Sequence, residues 1–267
     1  MTRLQGSDVV VCPDCRGGLE LSERWVGCPC CGWRRSREEG YLPLSLAGAP
    51  SHRGIGPRAM HWRPLAKIYE RIWRPTFVTI ASRRWHDLEA EQTWIEAHLL
   101  AAAGGPVVDL SCGPGLMARR MARSDAYAGV YAVDLSTAML EACVASCRSD
   151  SLPVVPIQAD VARLPFASRS LAGAHAGAAL HLWEEPLSAL VEVGRVLRPG
   201  GVFVASTFVH PPRYGGRHLI EDAFERLSEV RFYDHDELEG LCAAAGLVRF
   251  EARRQGAWIL FRAQAVS

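Results

Sequence analysis

Four of the nine cysteines fall at a spacing that does chemistry: Cys12-x2-Cys15-x12-Cys28-x2-Cys31. Each CxxC pair can fold into a knuckle whose backbone amides stabilise thiolates, and two knuckles close a tetrahedral shell around zinc. Four sulfurs leave no open coordination position, so the expected Zn2+ is structural rather than catalytic. Cys30 is the spare, because a set using it in place of Cys31 has the wrong second knuckle. Cys112, Cys143, Cys147 and Cys242 lack ligand spacing and read as buried thiols.

A second pattern lies in VVDLSCGPGLMA, where Gly113, Gly115 and Ala118 fit the G-x-G-x-x-G/A turn and Asp134 follows where a ribose-binding acid belongs. Two ligand classes use such a turn, and two residues separate them. Asp109, just ahead of the glycines, would repel a pyrophosphate and attract an ammonium group. Pro114 removes a backbone N–H that a phosphate cradle would want. Both favour an adenosyl ligand without phosphates. In QADVARLPF, Asp160 can accept from an adenine amino group and Val161 can offer its N–H to the ring. The competing reading is that each Asp only caps the helix or loop after it.

His181 and Trp183 follow the fourth apolar run, at the mouth where a second substrate would approach. His181 is the candidate general base, if the reaction needs one, and otherwise a packing residue. His175, inside that run, reads as core or as packing beside a ligand. The segment 209–222, with His210, Tyr214, Arg217 and His218, is either a lid or an exposed insertion. Asp234 to Glu237 is a helix capping box.

Positioning these groups requires alternating elements. Residues 64–103 carry apolar residues at helical steps and end on Gly104-Gly105. Strands are expected at 106–110, 129–135, 154–160, 170–180 and 202–208, with helices at 113–123, after Ser136, at 184–198 and at 234–246. LVRFEAR and GAWILFRAQ close as a hairpin. Such alternation means an α/β, doubly wound, mostly parallel sheet with an antiparallel final strand. Three regions result: a cysteine module at 1–45, a Gly/Pro/Ser/His-rich linker at 46–63, and the main domain at 64–267.

Composition bounds the partners. Hydrophobic residues are 49% and net charge is +1, with 14 Lys/Arg against 7 Asp/Glu in residues 1–86 and 16 against 22 beyond. A basic front can meet nucleic acid or simply be a solvated arginine-rich surface. No stretch reaches the ~18 apolar residues of a membrane helix. The first residues also lack a signal-peptide run, so a cytoplasmic location and no membrane partner are expected. In a reducing compartment these spacings favour metal over disulfides.

The sequence resembles the class I S-adenosylmethionine-dependent methyltransferases in VVDLSCGPG, VYAVDLSTAML, QADVARLPF, GAALHLW and RVLRPGGVFVAST, over about residues 64–267. More narrowly it is similar to a plant-plastid, cyanobacterial and actinobacterial group that also begins with a CPxC…CxxC module. The class has Gly where Ser111 stands; the narrower group often has Ser. The resemblance implies a Rossmann-like sheet of seven strands behind a small zinc ribbon, with S-adenosyl-L-methionine as cofactor. It places Asp109, Gly113 and Gly115 by the methionine and ribose, with Ser111 and Met139 in the same shell. It places Asp134 on the ribose hydroxyls, Leu135 against adenine, Asp160 and Val161 on the adenine edge, Ala176 and Gly177 near the sulfonium, and Tyr69 toward the cofactor's amino acid. The expected reaction is in-line methyl transfer to a small-molecule acceptor. The ribbon followed by EEGYLPL also resembles the front of the bacterial 23S ribosomal RNA guanine-N1 methyltransferases, although that family has His where Cys31 stands. Base methylation of RNA is therefore the alternative, and a non-catalytic cofactor-binding or adaptor protein is a third reading. Nothing in the sequence fixes the oligomeric state.

Overall fold

A computed structural model of the chain describes residues 9–36, 38, 40–46, 62, 76, 78–79, 87–210 and 230–266. The element order begins with β1 (Glu20–Leu21), β2 (Trp25–Gly27), β3 (Arg34–Ser36) and β4 (Leu42–Pro43). Next come α1 (Leu88–Leu99), β5 (Pro106–Leu110), α2 (Leu116–Ala122), β6 (Gly129–Asp134), α3 (Thr137–Ser149) and β7 (Val154–Gln158). After them follow β8 (Leu171–Gly177), α4 (Pro186–Val196), β9 (Leu197–Phe208), α5 (His235–Ala244), β10 (Leu247–Gln255) and β11 (Trp258–Ala265).

The main sheet runs β10-β11-β9-β8-β5-β6-β7-β4. β11 is antiparallel to both of its neighbours, and the other pairings are parallel. β5 sits centrally, and its Val107, Val108 and Leu110 are fully buried, as a parallel strand covered on both faces must be. β8 is rich in small residues because the turn at Leu100–Ala102 presses on it: a Cβ at Gly173 would stand 2.7 Å from Ala102 Cβ. Caps delimit the helices. Ser136 accepts from Met139 N at the start of α3, Pro186 occupies the first turn of α4, and Asp234 with Glu237 forms the capping box of α5.

The seven expected strands are present, shortened at some ends; β7 stops at Gln158 and β8 at Gly177. β9 begins earlier than expected, at Leu197, so α4 ends at Val196 and the Pro-Gly-Gly turn lies within the strand. An eighth strand joins them. β4, from the segment expected to belong wholly to the cysteine module, pairs in parallel with β7 through Leu42↔Ile157 and Pro43↔Gln158. Leu44 N then donates to Gln158 O at 2.9 Å.

The cysteine module forms its own three-stranded sheet, β1-β2-β3, yet it shares the main core. Val10, Cys12, Leu19, Val26 and Cys28 belong to the same buried cluster as Val108, Leu110 and Phe166. Among the described residues no helix is long and apolar enough to cross a membrane. The linker at 46–63 lies almost wholly outside the described residues, as do Tyr69, most of the helical stretch before 87, and the lid segment beyond His210.

Candidate functional site

β5 and β8 lie side by side while the chain leaves them toward opposite edges of the sheet. A crevice therefore opens beyond their carboxyl ends, where ligands of open α/β sheets bind. Asp109, Ser111, Gly113, Met117, His175 and Gly177 line it, joined by Gln92 and Ile95 of α1.

Asp109 is buried, and both carboxylate oxygens are engaged. Oδ2 accepts from Ala118 N at 3.0 Å, which caps α2, and Oδ1 accepts from His175 Nδ1 at 2.7 Å. The two residues are direct partners in the β5–β8 register. His175 is 4% exposed, and its Nε2 is buried with no partner among the described residues. That is a polar atom left available at a ligand cleft. Sequence reasoning could place His175 on the face of Gly177, two residues on, but the strand register that brings it to Asp109 has no local signal.

The turn after β5 is tightly wound. Ser111, Gly113 and Gly115 all have positive φ, at 50°, 54° and 86°. For Ser111 this costs about 1 kcal/mol. Its Oγ in return accepts from Trp183 Nε1 at 3.1 Å, which ties the turn to the segment after β8. A side chain at Gly115 would put Cβ 2.5 Å from Cys143 Sγ. The N–H groups of the turn are already satisfied. Cys112 N donates to Val133 O, Gly113 N to Asp134 Oδ2 and Gly115 N to Cys112 O, while Pro114 has none. A phosphate would find no cradle here.

Asp134, half-buried at the end of β6, accepts from Gly113 N and Ser136 N, both at 2.8 Å. Burial raises its carboxyl to about 6, aided by the nearby Asp109 charge and opposed by those backbone donors. Asp160 accepts from Ala162 N at 2.9 Å. All three acids thus do cap backbone, as the plainer reading expected. Each carboxylate still has lone pairs to spare; Asp109 lines the crevice, and Asp134 is tied to the same glycine turn through Gly113 N. Leu135 is half-buried and its carbonyl accepts from Gln158 Nε2; Val161 packs partly buried against the core. Of the predicted cofactor contacts, Asp109, Ser111, Gly113 and Gly177 line the crevice; Gly115, Asp134, Leu135, Met139, Asp160, Val161 and Ala176 are not among its lining residues, Met139 and Ala176 being buried at 2% and 0% exposure.

His181 lies in the 3-10 turn Leu180–Leu182 just beyond β8. It is 4% exposed, its Nδ1 stands 3.4 Å from Thr207 Oγ1, and its ring packs 4.8 Å from Phe208. Close by is a buried trio that sequence reasoning missed. Ser206 Oγ donates to Glu91 Oε1 at 2.8 Å and accepts from Ala178 N at 3.0 Å. It holds Ala178 in the left-handed region, φ 56°, immediately after Gly177.

At the other end of the chain the Sγ atoms of Cys12, Cys15, Cys28 and Cys31 all lie within 4.8 Å of one another. Cys12 to Cys31 measures 3.7 Å and Cys15 to Cys28 3.5 Å, close to the about 3.8 Å between sulfurs of a tetrahedral zinc–thiolate shell. Asp14 N points at Cys12 Sγ and Gly17 N at Cys15 Sγ, both at 3.4 Å. Although burial raises the Cys28 thiol, the N–H groups of Cys31 and Cys30 bring it down to about 7. The donor set therefore fits a zinc ion, and Cys30 stays outside it.

A mostly parallel sheet of this order with an antiparallel β11, and a glycine turn between two acids, is the fold of an S-adenosylmethionine-dependent methyltransferase. A methyltransferase-domain family model matches residues 108–205. An uncharacterized chloroplastic methyltransferase of Arabidopsis thaliana is 36% identical over 255 residues, covering 89% of this chain and 70% of that protein. A 2-phytyl-1,4-naphthoquinone methyltransferase of Nostoc punctiforme is 33% identical over 133 residues, 48% of this chain and 58% of that one. Among solved structures, Haemonchus contortus phosphoethanolamine N-methyltransferase 2 bound to S-adenosyl-L-methionine superposes with a TM-score of 0.66 at 14% identity, covering 82% of this chain and 61% of that chain. The chain belongs to the class I S-adenosylmethionine-dependent methyltransferases.

Proposed function

We propose that this enzyme methylates a small-molecule acceptor held over the end of β8, and that Cys12, Cys15, Cys28 and Cys31 hold a structural zinc. The observation that supports the site assignment is the glycine turn: the Cys112, Gly113 and Gly115 N–H groups are satisfied internally, Asp109 lines the crevice beside it, and Asp134 accepts from Gly113 N. S-adenosylmethionine supplies an activated methyl group with its own leaving group. The chain's part is to bind, orient and exclude water. Asp109, held by His175 and Ala118 N, offers a fixed negative charge for the methionine ammonium. Asp134 and the turn around Gly113 and Gly115 take the ribose, with Ser111 setting the turn against Trp183. Leu135, Asp160 and Val161 take the adenine, and Gly177 leaves room beside the reacting methyl. Tyr69 is kept as a contact to the cofactor's amino acid; Met139 and Ala176 serve by packing behind the site.

His181 is the proposed base for acceptors that lose a proton, supported by its place just beyond β8. His181→Gln tests it. A base role predicts kcat lower by about 100-fold or more with S-adenosylmethionine affinity unchanged. Unchanged kcat with lowered thermal stability would instead make it a packing residue against Phe208.

The acceptor class is supported by relatives that act on a quinone and on an ethanolamine phosphate. RNA is the second reading, supported by Arg34 stacked 3.9 Å over Trp25 on the cysteine module. Labelled-methyl transfer into cell extract fractionated as RNA, protein and small molecules decides between them. The label is expected in the small-molecule fraction, and label confined to RNA would sink the small-acceptor reading. Four cysteines holding zinc, with the other five unpaired, suit a reducing compartment such as the cytoplasm.

A further inference from the structure

The segment that carries Asp160 and Val161 is gripped along its outer side by the cysteine module. Upstream of it, β4 pairs with β7 and Leu44 N bonds Gln158 O. Downstream, Val11 N donates to Pro165 O and Ala167 N to Val9 O, both at 2.9 Å, around the antiparallel bridge Val10↔Phe166. Between these ladders Arg163, three residues past Asp160, donates from Nε to Pro13 O at 3.0 Å and from Nη2 to Asp14 O at 3.4 Å. Pro13 and Asp14 are the two residues between Cys12 and Cys15. The carbonyls that hold Arg163 therefore belong to the first metal knuckle itself.

The inner side of the same segment is fixed by α4. Glu192 accepts from Leu164 N at 2.8 Å, and Arg195 donates to Leu164 O at 3.0 Å and Phe166 O at 2.8 Å. Arg16 of the cysteine module reaches across to Glu192 at 3.1 Å. Residues 158–167 are thus clamped between the module and α4, with Asp160 and Val161 in the stretch between the two ladders.

The geometry points to a role for the module in cofactor binding: through Arg163 it positions the adenine end of the site, and the metal state of the four cysteines sets how firmly. This rests on the zinc and adenine assignments proposed above. The strands of the module are only two or three residues long, so four thiolate–metal bonds would be a large share of what holds its knuckles. Val10, Leu19 and Val26 pack into the main core, so the module has little core of its own beside the cysteines. Without metal the first knuckle is left with its backbone bonds, Arg16 N to Cys12 O and Cys12 N to Gly17 O, to hold Pro13 and Asp14 toward Arg163. The grip of Arg163 on the segment is then weaker, with α4 and the flanking ladders left to hold it, and ordering Asp160 and Val161 is added to the cost of binding.

The test uses the full chain, with zinc content measured for every preparation, S-adenosylhomocysteine binding by calorimetry, and kinetics. Arg163→Ala should keep its zinc and its melting temperature. Its Kd for S-adenosylhomocysteine and its KM for S-adenosylmethionine should rise about 3- to 10-fold, with kcat held, from one or two lost, partly exposed charge-assisted hydrogen bonds. Arg163→Lys should recover part of the loss. In chelated protein, or in Cys31→Ser, affinity should fall at least as far, and adding Arg163→Ala should change nothing more. Wild-type affinity in Arg163→Ala, or losses that simply add, would overturn the link. Asp160→Ala separates this from the assignment beneath it. Unchanged affinity there removes the adenine role, whereas a loss in Asp160→Ala with none in Arg163→Ala removes the clamp alone. Zinc-free wild-type protein that binds as tightly as loaded protein would overturn control by the metal.

Discussion

At the residue scale, Asp109, Asp134 and Asp160 each accept from backbone N–H groups at or just past a strand end and keep lone pairs for a ligand. Asp109, Asp134 and Asp160 stand out because carboxylates at strand ends beside glycines are unusual company for a phosphate. Their donors, Ala118 N, Gly113 N and His175 Nδ1, depend on turn geometry and strand register that no local pattern encodes. Ser111 shows the same division. Its departure from glycine was visible, but its bond to Trp183 Nε1 was not. Ser111→Gly should release about 1 kcal/mol of backbone strain and lose a hydrogen bond of similar worth, so urea denaturation should find stability within ~1 kcal/mol of wild type. Asp134 gives a sharper expectation. Its carboxyl is raised from 3.8 to about 6, so the folded protein binds that proton more tightly than the unfolded chain does. Ionising it works against the apo fold, and this one group adds stability as pH falls from about 6 toward 3.8. Cofactor binding runs the other way, because protonation removes an acceptor from the ribose. S-adenosylhomocysteine affinity should be flat above about pH 7 and weaken as pH falls through about 6. Asp134→Asn should flatten that profile at a Kd roughly 10- to 100-fold higher. A profile in Asp134→Asn identical to wild type would contradict the assignment.

At the element scale, periodicity found what periodicity can find. Seven strands and the helices between them announce themselves as apolar runs and capped amphipathic stretches, so the sheet could be read from the chain. β4 could not. A two-residue strand has no period, and Pro43 ordinarily argues against a strand. It is tolerated because β4 is the edge, with its one paired side toward β7. The inward turn of Met139 and Ala176 likewise depends on which face each element buries. The small-residue texture of β8 was visible, and its reason is the Leu100–Ala102 turn above Gly173. Gly173→Val should therefore destabilise the fold by about 2–4 kcal/mol, since a Cβ already meets Ala102 at 2.7 Å and cannot turn away within a central strand. Gly129→Ala, where a Cβ would meet nothing within 4 Å, is the matched control and should stay within ~1 kcal/mol of wild type by urea denaturation.

At the scale of the whole molecule, the division of the chain into a cysteine module and a catalytic domain describes the sequence better than it describes the core. Composition changes sharply after residue 45, and a spacing motif is self-contained, so the chain reads as two pieces. Packing joins them, because Val10, Leu19, Val26 and Leu42 bury against the same cluster as the central strands. Glu192 is the electrostatic counterpart of that joint. Burial alone would raise its carboxyl, but the hydrogen bonds and charge of Arg195, with Arg16 behind them, hold it below its ordinary value. Its contribution is complete above the usual 4.5 and is lost as pH falls through the lowered folded value, so acid should loosen the joint. The metal provides the clearer test. Two independent pieces would melt in two transitions, with chelation erasing the first and leaving the second where it was. A shared core predicts one transition in zinc-loaded protein, because neither part can expose its side of the cluster without the other. Chelation should then lower that single melting temperature by about 5–10 °C, the shift expected when a domain of this size loses ~2–3 kcal/mol. The loss should be followed by circular dichroism and by tryptophan fluorescence together, since Trp25 and Trp33 report on the module and the buried Trp258 on the far strand of the sheet. Coincident curves from the two probes would establish that the module and the sheet unfold as one body; curves that separate by more than a few degrees in loaded protein would mean that the buried cluster they share does not couple them.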